Sequence, residues 1–197
     1  MVDCPFTVNA KVNYQRIGEV AATAVRLLDN VIDISNYPLP QQREEAYAKR
    51  RMGIGITGLA DAFIFMGVKY GSSASLAIAE KIMATIRDAA YRASVELAKE
   101  RGAFPKFEAD KYVKDNFVAA LPKDLQKDIA KYGIRNSHLT SIAPTGTISL
   151  LAGNISSGLE PVFAFRYTRK IRNGKETDVS EVEVADYAYG KYCEFIG

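Results

Sequence analysis

The sequence predicts a helix-rich α/β fold, and three observations support this class. Apolar residues recur at steps of three and four along several segments, which is the period of a helix that packs on one face. Short apolar runs between these segments are typical of buried strands. The length of 197 residues and the hydrophobic content of 48% are enough for one domain with a sizeable core. We therefore expect residues 1–197 to form a single domain of helices packed on strands.

The first predicted element is a helix over residues 13–34. Pro38 and Pro40 remove backbone donors, so they predict a turn over Ser35 to Gln42. A charged helical stretch from Arg43 to Arg51 follows this turn. The apolar face of the first helix comprises Tyr14, Ile17, Ala21, Ala24, Leu28 and Val31.

A strand, a turn and a helix are predicted next. Met52 to Ile56 is short, apolar and glycine-bearing, and Leu59 to Phe65 has helical character. The longest periodic element is Ser73 to Arg101, which Gly102 ends. We favour a core-packing role for this long helix over a coiled coil.

The rest of the chain is predicted to form two shorter helices, a buried strand and an exposed hairpin. Asn173 and Gly174 tolerate positive φ, which suits the two-residue turn of that hairpin. The predicted ranges are Ala109 to Ala120 and Lys123 to Tyr132 for the helices, His138 to Ala143 for the buried strand, and Tyr167 to Arg172 and Lys175 to Val179 for the hairpin strands.

Charge and composition argue against several classes of protein. Lysine and arginine number 26, aspartate and glutamate number 23, and the net charge of +3 is dispersed, so neither nucleic acid nor an anionic membrane is an expected partner. Cys4 and Cys193 form no CxxC pair and His138 is the single histidine, so we expect no metal site and no disulfide scaffold. The chain shows no signal peptide and no apolar stretch of about 18 residues, which favours a cytoplasmic protein.

The remaining polar residues are expected to be structural. His138 stands at the head of an apolar strand without a partner ligand, and Asp61 is expected to be a solvated charge on its helix. Near the C-terminus, packing against a partner surface is the expected role of Tyr187, Tyr189 and Tyr192.

Gly53, Gly55 and Gly58 formally match a dinucleotide-binding fingerprint. The preceding residues, Ala48 to Arg51, are mostly charged where a buried first strand should lie. We therefore expect close backbone packing at these glycines and keep an NAD(P)-dependent oxidoreductase as the alternative.

The loop Pro144 to Ser149 carries the most distinctive chemistry of the chain. It follows a predicted strand and precedes a helical start, so its N–H groups and hydroxyls suit an anion. It lacks the Gly-Lys-Ser/Thr ending of a nucleoside-triphosphatase loop. On spacing alone, an anion site and an ordinary turn rich in threonine and serine are equal alternatives.

Several segments together resemble the catalytic subunit of ribonucleotide reductase. They are LLDNVIDISNYPLP, RRMGIGITGLADAF, RNSHLTSIAPTGTISLLAGNISSGLEP and VFAFRYTRK, and they extend from about Leu27 to Lys170. The form APTGTIS followed by NISSGLEPVFA is most similar to the adenosylcobalamin-dependent, class II enzymes.

The resemblance implies part of a ten-stranded α/β barrel and the reduction of ribonucleotides to 2′-deoxyribonucleotides by thiyl-radical chemistry. It implies adenosylcobalamin as cofactor and an external dithiol reductant such as thioredoxin, and it leaves a diphosphate or triphosphate substrate open. The residues that match the substrate-phosphate loop are Pro144, Thr145, Gly146, Thr147, Ile148 and Ser149. The residues on the approach to that loop are Arg135, Asn136 and Ser137.

The sequence departs from the family at the radical cysteine. The family carries this cysteine in an Asn-x-Cys-x-Glu setting together with a redox pair, and neither Cys4 nor Cys193 lies in such a motif. We therefore expect residues 1–197 to be an internal fragment of the barrel domain that is inactive by itself and self-associates through exposed strand edges. A noncatalytic helical interaction module that uses Ser73 to Arg101 is a second alternative.

Overall fold

The computed structural model describes residues 1–172 and 179–197. The chain is divided into two compact units. The first unit comprises Met1–Asn13, Gly55–Ala79 and Ile142–Gly197, and the second comprises Tyr14–Ile54 and Glu80–Ser141. In chain order the described elements are β1 (Val2–Asp3), β2 (Lys11–Val12), α1 (Tyr14–Ile34), α2 (Pro40–Lys49), α3 (Leu59–Met66), α4 (Ser73–Arg101), α5 (Ala109–Tyr112), α6 (Asn116–Ala119), α7 (Lys123–Tyr132), α8 (Gly146–Leu151), β3 (Arg166–Arg172), β4 (Val179–Ala185) and α9 (Tyr187–Ile196).

The long helices predicted from periodicity are confirmed, whereas some of the shorter helices have different bounds from those predicted. Helix α2 begins at Pro40 rather than Arg43, because proline fits the first turn of a helix, where its missing N–H is not needed. The single helix predicted over Ala109 to Ala120 is interrupted and forms α5 and α6. Asp115 starts the second of these as its N-cap and accepts a hydrogen bond from Phe117 N at 2.8 Å.

The buried face of α1 is rotated by one residue from the predicted face. The predicted contact residue Val31 is 41% exposed, and the side chains that are buried belong to Ala21, Val25, Asp29 and Ile32. The prediction counted apolar residues only, so it could not include an aspartate in the buried stripe.

The hydrophobic core of the second unit is built mainly from α4, α7 and the segments that connect them. Leu125 and Ile129 of α7 are fully buried, one turn apart on the same face. The core comprises Val25, Ala90, Tyr91, Val95, Leu97, Phe104, Val118, Leu121, Leu125, Ile129, Ile134 and Leu139.

The two apolar segments predicted as strands, Met52 to Ile56 and His138 to Ala143, meet in parallel at one bridge. Ile54 N donates to Leu139 O at 2.8 Å, and Ser141 N donates to Ile54 O at 3.0 Å. A Cβ built on Gly53 would lie 2.7 Å from the Ser141 Cβ, so only glycine permits this approach.

The chain therefore has a helix-rich α/β fold, and the strands in its described part do not form a closed barrel. They form two antiparallel pairs, β1 with β2 and β3 with β4, in addition to the parallel bridge. Strand β3 confirms the first strand of the predicted hairpin, whereas its partner β4 begins at Val179, the last residue of the predicted second strand. The predicted turn of this hairpin, Asn173 and Gly174, lies outside the described residues, as does Lys175 at the start of the predicted second strand.

A buried charge network surrounds Asp29 in the second unit. The Asp29 side chain has no exposed surface. Its Oδ1 accepts hydrogen bonds from Arg50 Nε at 2.8 Å and Asn136 Nδ2 at 3.0 Å. Its Oδ2 accepts from Arg101 Nη1 at 3.2 Å and Arg135 Nε at 3.3 Å. One carboxylate thus neutralises part of the charge of three guanidinium groups.

Arg50 and Asn136 extend this network to the backbone. Arg50 is buried in a left-handed conformation, with φ 47° and ψ 49°, and also donates to Asp33 Oδ1 at 2.8 Å. Asn136 Nδ2 donates to Arg50 O at 3.1 Å, while Asn136 Oδ1 accepts from Ser94 Oγ at 2.8 Å. Burial alone would raise the pKa of Asp29, but the hydrogen bonds from Arg50 and Asn136 outweigh it and hold this pKa below its usual value.

The first unit contains a separate aromatic cluster around Phe6. The Phe6 ring lies 5.2 Å from the Phe65 ring and 5.5 Å from the rings of Tyr192 and Phe195, measured between centroids. Tyr187 packs edge-on against Phe65 at 6.1 Å. The C-terminal tyrosines therefore have ring partners within the chain itself, where a partner surface was expected.

Replacement of Asp29 by asparagine should lower the free energy of unfolding by about 3–5 kcal/mol, because it leaves the buried guanidinium of Arg50 with Asp33 as its only counter-charge among the described residues. Urea unfolding of the 197-residue chain measures this change. The matched control is Asp124→Asn, which removes an exposed, solvent-screened ion pair with Arg92 and should change stability much less than Asp29→Asn does. Equal effects of the two substitutions would contradict the role given to Asp29.

Candidate functional site

The candidate site is a cleft of about 860 Å³ in the first unit, bordered by α8 and β3. Ligand pockets in proteins typically measure roughly 300–1,000 Å³. Three residues of the predicted phosphate loop, Gly146, Thr147 and Ser149, line this cleft. The polar and charged residues that complete its lining include Asn154, Ser156, Ser157, Glu160, Tyr167, Arg169 and Asp186.

Thr145 determines the shape of the loop. Its backbone is left-handed, with φ 52° and ψ 19°, a conformation that is unfavourable for a β-branched residue. The Thr145 Oγ1 accepts a hydrogen bond from Gly158 N at 2.7 Å and donates to Thr57 Oγ1 at 3.2 Å. The hydroxyl of Thr145 is therefore engaged inside the protein and holds the loop in its unusual conformation.

Ser149 closes the loop from its other side and is 4% exposed. Its Oγ donates to Gly146 O at 2.8 Å and lies 3.2 Å from Ser157 Oγ. Its amide donates to Thr145 O at 2.8 Å. Ser149 was predicted to donate to an anion, and in the structure its side chain is occupied by groups of the chain.

The open donors of the loop are the backbone amides in the first turn of α8. The amides of Gly146, Thr147 and Ile148 have no acceptor within a helix. Among the described residues, none of the backbone hydrogen bonds outside regular elements uses these three amides. Thr147 is exposed and adds a hydroxyl beside them, while Pro144 lies outside the cleft lining. The arrangement can accept an anionic oxygen at the positive end of the helix turn.

Asp61 of α3 and Asp186, the N-cap of α9, form a buried carboxyl pair. Asp61 Oδ1 accepts from Ser156 N at 3.0 Å, and Asp186 Oδ1 accepts from Tyr189 N at 3.0 Å. The buried Asp61 Oδ2 has no hydrogen-bond partner among the described residues. Burial raises the pKa of Asp61, and burial together with the neighbouring Asp61 raises the pKa of Asp186 to about 6. The prediction that Asp61 is a solvated charge is wrong, since it is 2% exposed.

The segment from Gly53 to Gly58 supports close packing rather than a dinucleotide site. Met52 N donates to His138 O at 3.0 Å, and Gly58 N donates to Ser156 O at 2.7 Å. Within the glycine segment the amides of Ile54 and Gly58 are therefore engaged by carbonyls of the chain and are not available to a pyrophosphate.

The residues predicted on the approach to the loop, Arg135, Asn136 and Ser137, lie in the second unit. Asn136 has no exposed surface, and its amide is engaged by Asp29, Arg50 and Ser94, so it offers no accessible group to a substrate. Arg135 donates to Asp29 and to two backbone carbonyls. Ser137 is partly exposed, with its Oγ 3.0 Å from His138 Nδ1, and its role on the approach stays a prediction.

Two further features of the described residues bear on function. None of their helices is long and apolar enough to cross a membrane. Within the same ranges, no group of three or more histidine, cysteine, aspartate or glutamate side chains could hold a metal ion.

Sequence reasoning missed Arg169 and the Asp61–Asp186 pair. A signal for Asp61 was available, because it is the only charged residue in the apolar helix LADAFIFM. Arg169 lies among charged residues of an exposed hairpin, and nothing in its immediate sequence distinguishes it from its neighbours.

Comparison with known proteins gives a consistent result. The family described as "Ribonucleotide reductase, barrel domain" matches residues 2–191. The chain is 42% identical to a vitamin B12-dependent ribonucleoside-diphosphate reductase of Mycobacterium tuberculosis over 163 residues, which cover 83% of the chain and 21% of that relative. It is 38% identical to a protein of the same name in Thermoplasma acidophilum over 166 residues, 84% of the chain and 20% of the relative.

A third relative bears a different name. The alpha subunit of ribonucleoside-diphosphate reductase from Treponema pallidum is 33% identical over 154 residues, 75% of the chain and 18% of the relative. The chain therefore spans about a fifth of the length of the curated relatives that it matches.

Replacement of Ser149 by alanine should destabilise the chain by about 1–2 kcal/mol, because the buried Ser149 hydroxyl and its hydrogen bonds to Gly146 O and Ser157 Oγ are lost. Urea unfolding measures the loss. Thr147→Val is the matched control: it removes an exposed hydroxyl in the same helix turn, and its effect should stay within about 0.5 kcal/mol. A neutral effect of Ser149→Ala would show that this hydroxyl does not support the loop.

Stability should fall as the pH rises through about 6, the pKa of Asp186 in the folded chain. A carboxyl group whose pKa is raised by folding favours the protonated, folded state, so its contribution is complete at low pH and is lost across this window. Asp186→Asn keeps an N-cap acceptor for Tyr189 N and removes the titration.

The measurement is the free energy of unfolding at about pH 4 and about pH 7. Asp186→Asn should reduce the difference between these two values and raise stability at the higher pH. The control, Asp115→Asn, alters the N-cap of α6, which is exposed, and should leave the difference as it is in the parent chain. An unchanged difference in Asp186→Asn would exclude the proposed titration.

Proposed function

The chain belongs to the ribonucleotide reductase barrel-domain family, and we propose that it is the part of such an enzyme that holds the phosphates of the substrate. The observation that carries this proposal is the set of open amides at Gly146, Thr147 and Ile148 beside a cleft of ligand size. The loop matches the family's substrate-phosphate segment by resemblance, and its amides suit phosphate oxygens.

The residues of the loop divide into two roles. The open amides, with the Thr147 hydroxyl, bind the anion, while Thr145 and Ser149 hold those amides in place through bonds to Gly158 and Ser157. A phosphate held in this way orients the ribose for a reaction at its 2′-carbon. Because the phosphate does not react, the loop binds the ground state and the transition state alike.

The proposal extends to the activity of the full-length protein. We propose that it reduces ribonucleotides to 2′-deoxyribonucleotides by thiyl-radical chemistry and so supplies precursors for DNA synthesis. The names of the relatives, which are ribonucleoside-diphosphate reductases, support this activity and favour a diphosphate substrate.

Adenosylcobalamin is the proposed cofactor of the full-length protein, since the most similar relatives named above are vitamin B12-dependent. When bound, it supplies the radical. The donors that line the cleft are amides, hydroxyls and one guanidinium among the described residues, a set that fits phosphate oxygens rather than a corrin ring. We therefore assign no residue of this chain to the cofactor.

We also propose that Met52 to Ile56 and His138 to Ala143 are neighbouring strands of the ten-stranded barrel in the full-length protein. The parallel sense of the bridge between Ile54 and Thr140 supports this assignment. Leu139 of the second segment is 1% exposed, and in a complete barrel such parallel strands are covered on both faces.

The sequence contains no Asn-x-Cys-x-Glu motif, so in this proposal the radical cysteine lies elsewhere in the full-length protein. The 197-residue chain alone would bind phosphate without reducing a substrate. A dithiol reductant such as thioredoxin, a cytoplasmic location and self-association stay predictions. Exposed apolar side chains such as Leu151 and Phe163 favour the last of these.

The alternatives gain no support from the structure. The amides of Ile54 and Gly58 are engaged by carbonyls of the chain, which disfavours a nicotinamide cofactor there. The long helix α4 contributes to the core of the second unit through Ile86, Ala90 and Val95, which disfavours a free interaction face.

Gly146→Asp should weaken binding of a ribonucleoside diphosphate at least about tenfold, because the new carboxylate would repel the phosphate at the open amides. A Cβ at Gly146 meets no atom within 4 Å, so the substitution introduces charge without steric conflict. Titration calorimetry of the 197-residue chain with ADP measures the affinity.

Gly146→Asn has nearly the same shape without the charge and should retain most of the affinity. In the full-length enzyme, Gly146→Asp should raise KM more than it changes kcat, since the phosphate is bound equally in both states. Equal ADP affinities of the aspartate variant and the parent chain would refute the phosphate site.

A further inference from the structure

The Asp61–Asp186 pair connects helix α3 to the start of helix α9. Asp61 lies in the first turn of α3, and Asp186 is the N-cap of α9. The two residues are 2% and 3% exposed, and their side chains interact with each other. Any change in this interaction therefore acts directly on the contact between the two helices.

A contact between two buried carboxyl groups needs a proton. An ionised carboxylate accepts hydrogen bonds but has none to donate. Ser156 N donates to Asp61 Oδ1 and Tyr189 N donates to Asp186 Oδ1, each at 3.0 Å. Asp61 Oδ2 is left without a donor among the described residues. A proton on either carboxyl group supplies the donor for a bond between them and removes one of the two negative charges.

No described cation is paired with either carboxyl group, so none replaces this proton. Lys191 of α9 is paired with Glu194 of the same helix, and Arg169 lines the cleft with Asp186 but forms no ion pair with it. The other charged or titratable groups on the elements around the pair are Asp3 of β1, Glu160, Arg166 of β3, Glu183 of β4, and the tyrosines and Cys193 of α9.

Helix α9 is otherwise held mainly by apolar contacts. Tyr187 packs edge-on against Phe65 of α3 at 6.1 Å, and the rings of Tyr192 and Phe195 lie 5.5 Å from that of Phe6. Ala188 has no exposed surface. The carboxyl pair is thus the titratable part of this contact, and separation of α9 from α3 would uncover an aromatic surface.

We propose that Asp61 and Asp186 share one proton, and that this proton is a pH-sensitive switch that keeps α9 docked on α3. With the proton in place, the pair carries a single negative charge and is hydrogen-bonded. Loss of the proton leaves two adjacent carboxylates that repel each other and are more stable in water than in the interior. Helix α9 then separates from α3 more readily. This inference does not rest on the proposed function, because it involves no ligand.

The first test is hydrogen exchange of the α9 amides in the 197-residue chain, measured by NMR and corrected for the intrinsic effect of pH on exchange. Burial and the neighbouring Asp61 raise the pKa of Asp186 to about 6, roughly two units above that of a free carboxyl group. The docked helix therefore binds the proton more tightly than the released helix does, so docking weakens as the pH rises. Protection of the amides from Tyr189 to Phe195 should fall by up to about a hundredfold between about pH 5 and about pH 8. Equal protection at both pH values would overturn the inference.

Asp61→Asn tests whether the proton is shared. The asparagine oxygen can still accept from Ser156 N, while its amide nitrogen donates to Asp186 at every pH and removes the repelling charge. The pKa of Asp186, followed by the chemical shift of its carboxyl carbon, should fall by at least about one unit in this variant. Protection of α9 should then change little between the two pH values. If burial alone raised the pKa of Asp186, this pKa would stay near 6 in Asp61→Asn, and the shared proton would be refuted.

Glu194→Gln is the matched control, because it removes an exposed carboxylate of α9 and leaves the pair intact. This variant should keep the pH dependence of the parent chain. Asp186→Asn approaches the pair from the other side: it supplies a permanent donor to Asp61 and should also remove the pH dependence of α9 protection. The amide spectrum of each variant shows that its fold is retained. A pH dependence that persists in both asparagine variants, or that is lost in Glu194→Gln, would contradict the switch.

Discussion

The buried carboxylate of Asp29 is the group on which the second unit depends most. A charge without access to water requires compensation at every lone pair, and here donors from distant parts of the chain supply it. Arg50 and Asn136 are the most important of them, because each stands just before an apolar segment of the parallel bridge. By tying these two residues to one carboxylate, the network defines where both segments begin, and Gly53 then permits their close approach.

In the first unit, the candidate loop is held in place by uncharged groups rather than by a buried charge. These groups are hydroxyls and amides of Thr57, Thr145, Ser149, Ser157 and Gly158, which satisfy one another in the interior. An acidic side chain bound to the loop amides would compete with an anionic ligand for them. Hydroxyl groups can hold the backbone in place without adding a net charge. The amides in the first turn of α8 therefore remain the donors that are available to a ligand.

Much of the fold could be predicted because the long helices have a strong apolar period. Helix α4 begins and ends where the pattern indicates, since twenty-nine residues average out local exceptions. Asp29 and Asp61 were missed for a physical reason: burial of a carboxylate depends on donors far away in sequence, which a local pattern does not contain. The same applies to the loop. Its residue types indicate an anion site, but the inward direction of the Thr145 and Ser149 hydroxyls is decided by Gly158 and Ser157 in the next segment.

The left-handed backbone of Thr145 has a consequence for the energetics of binding. This conformation costs a threonine about 1–2 kcal/mol, and the strain is borne during folding, when the bonds to Gly158 and Thr57 form. The amides that follow are then preorganised before any ligand arrives, so a ligand need not order them. In the proposed function, the backbone strain at Thr145 therefore reduces the conformational entropy that the next three residues would lose when a phosphate binds.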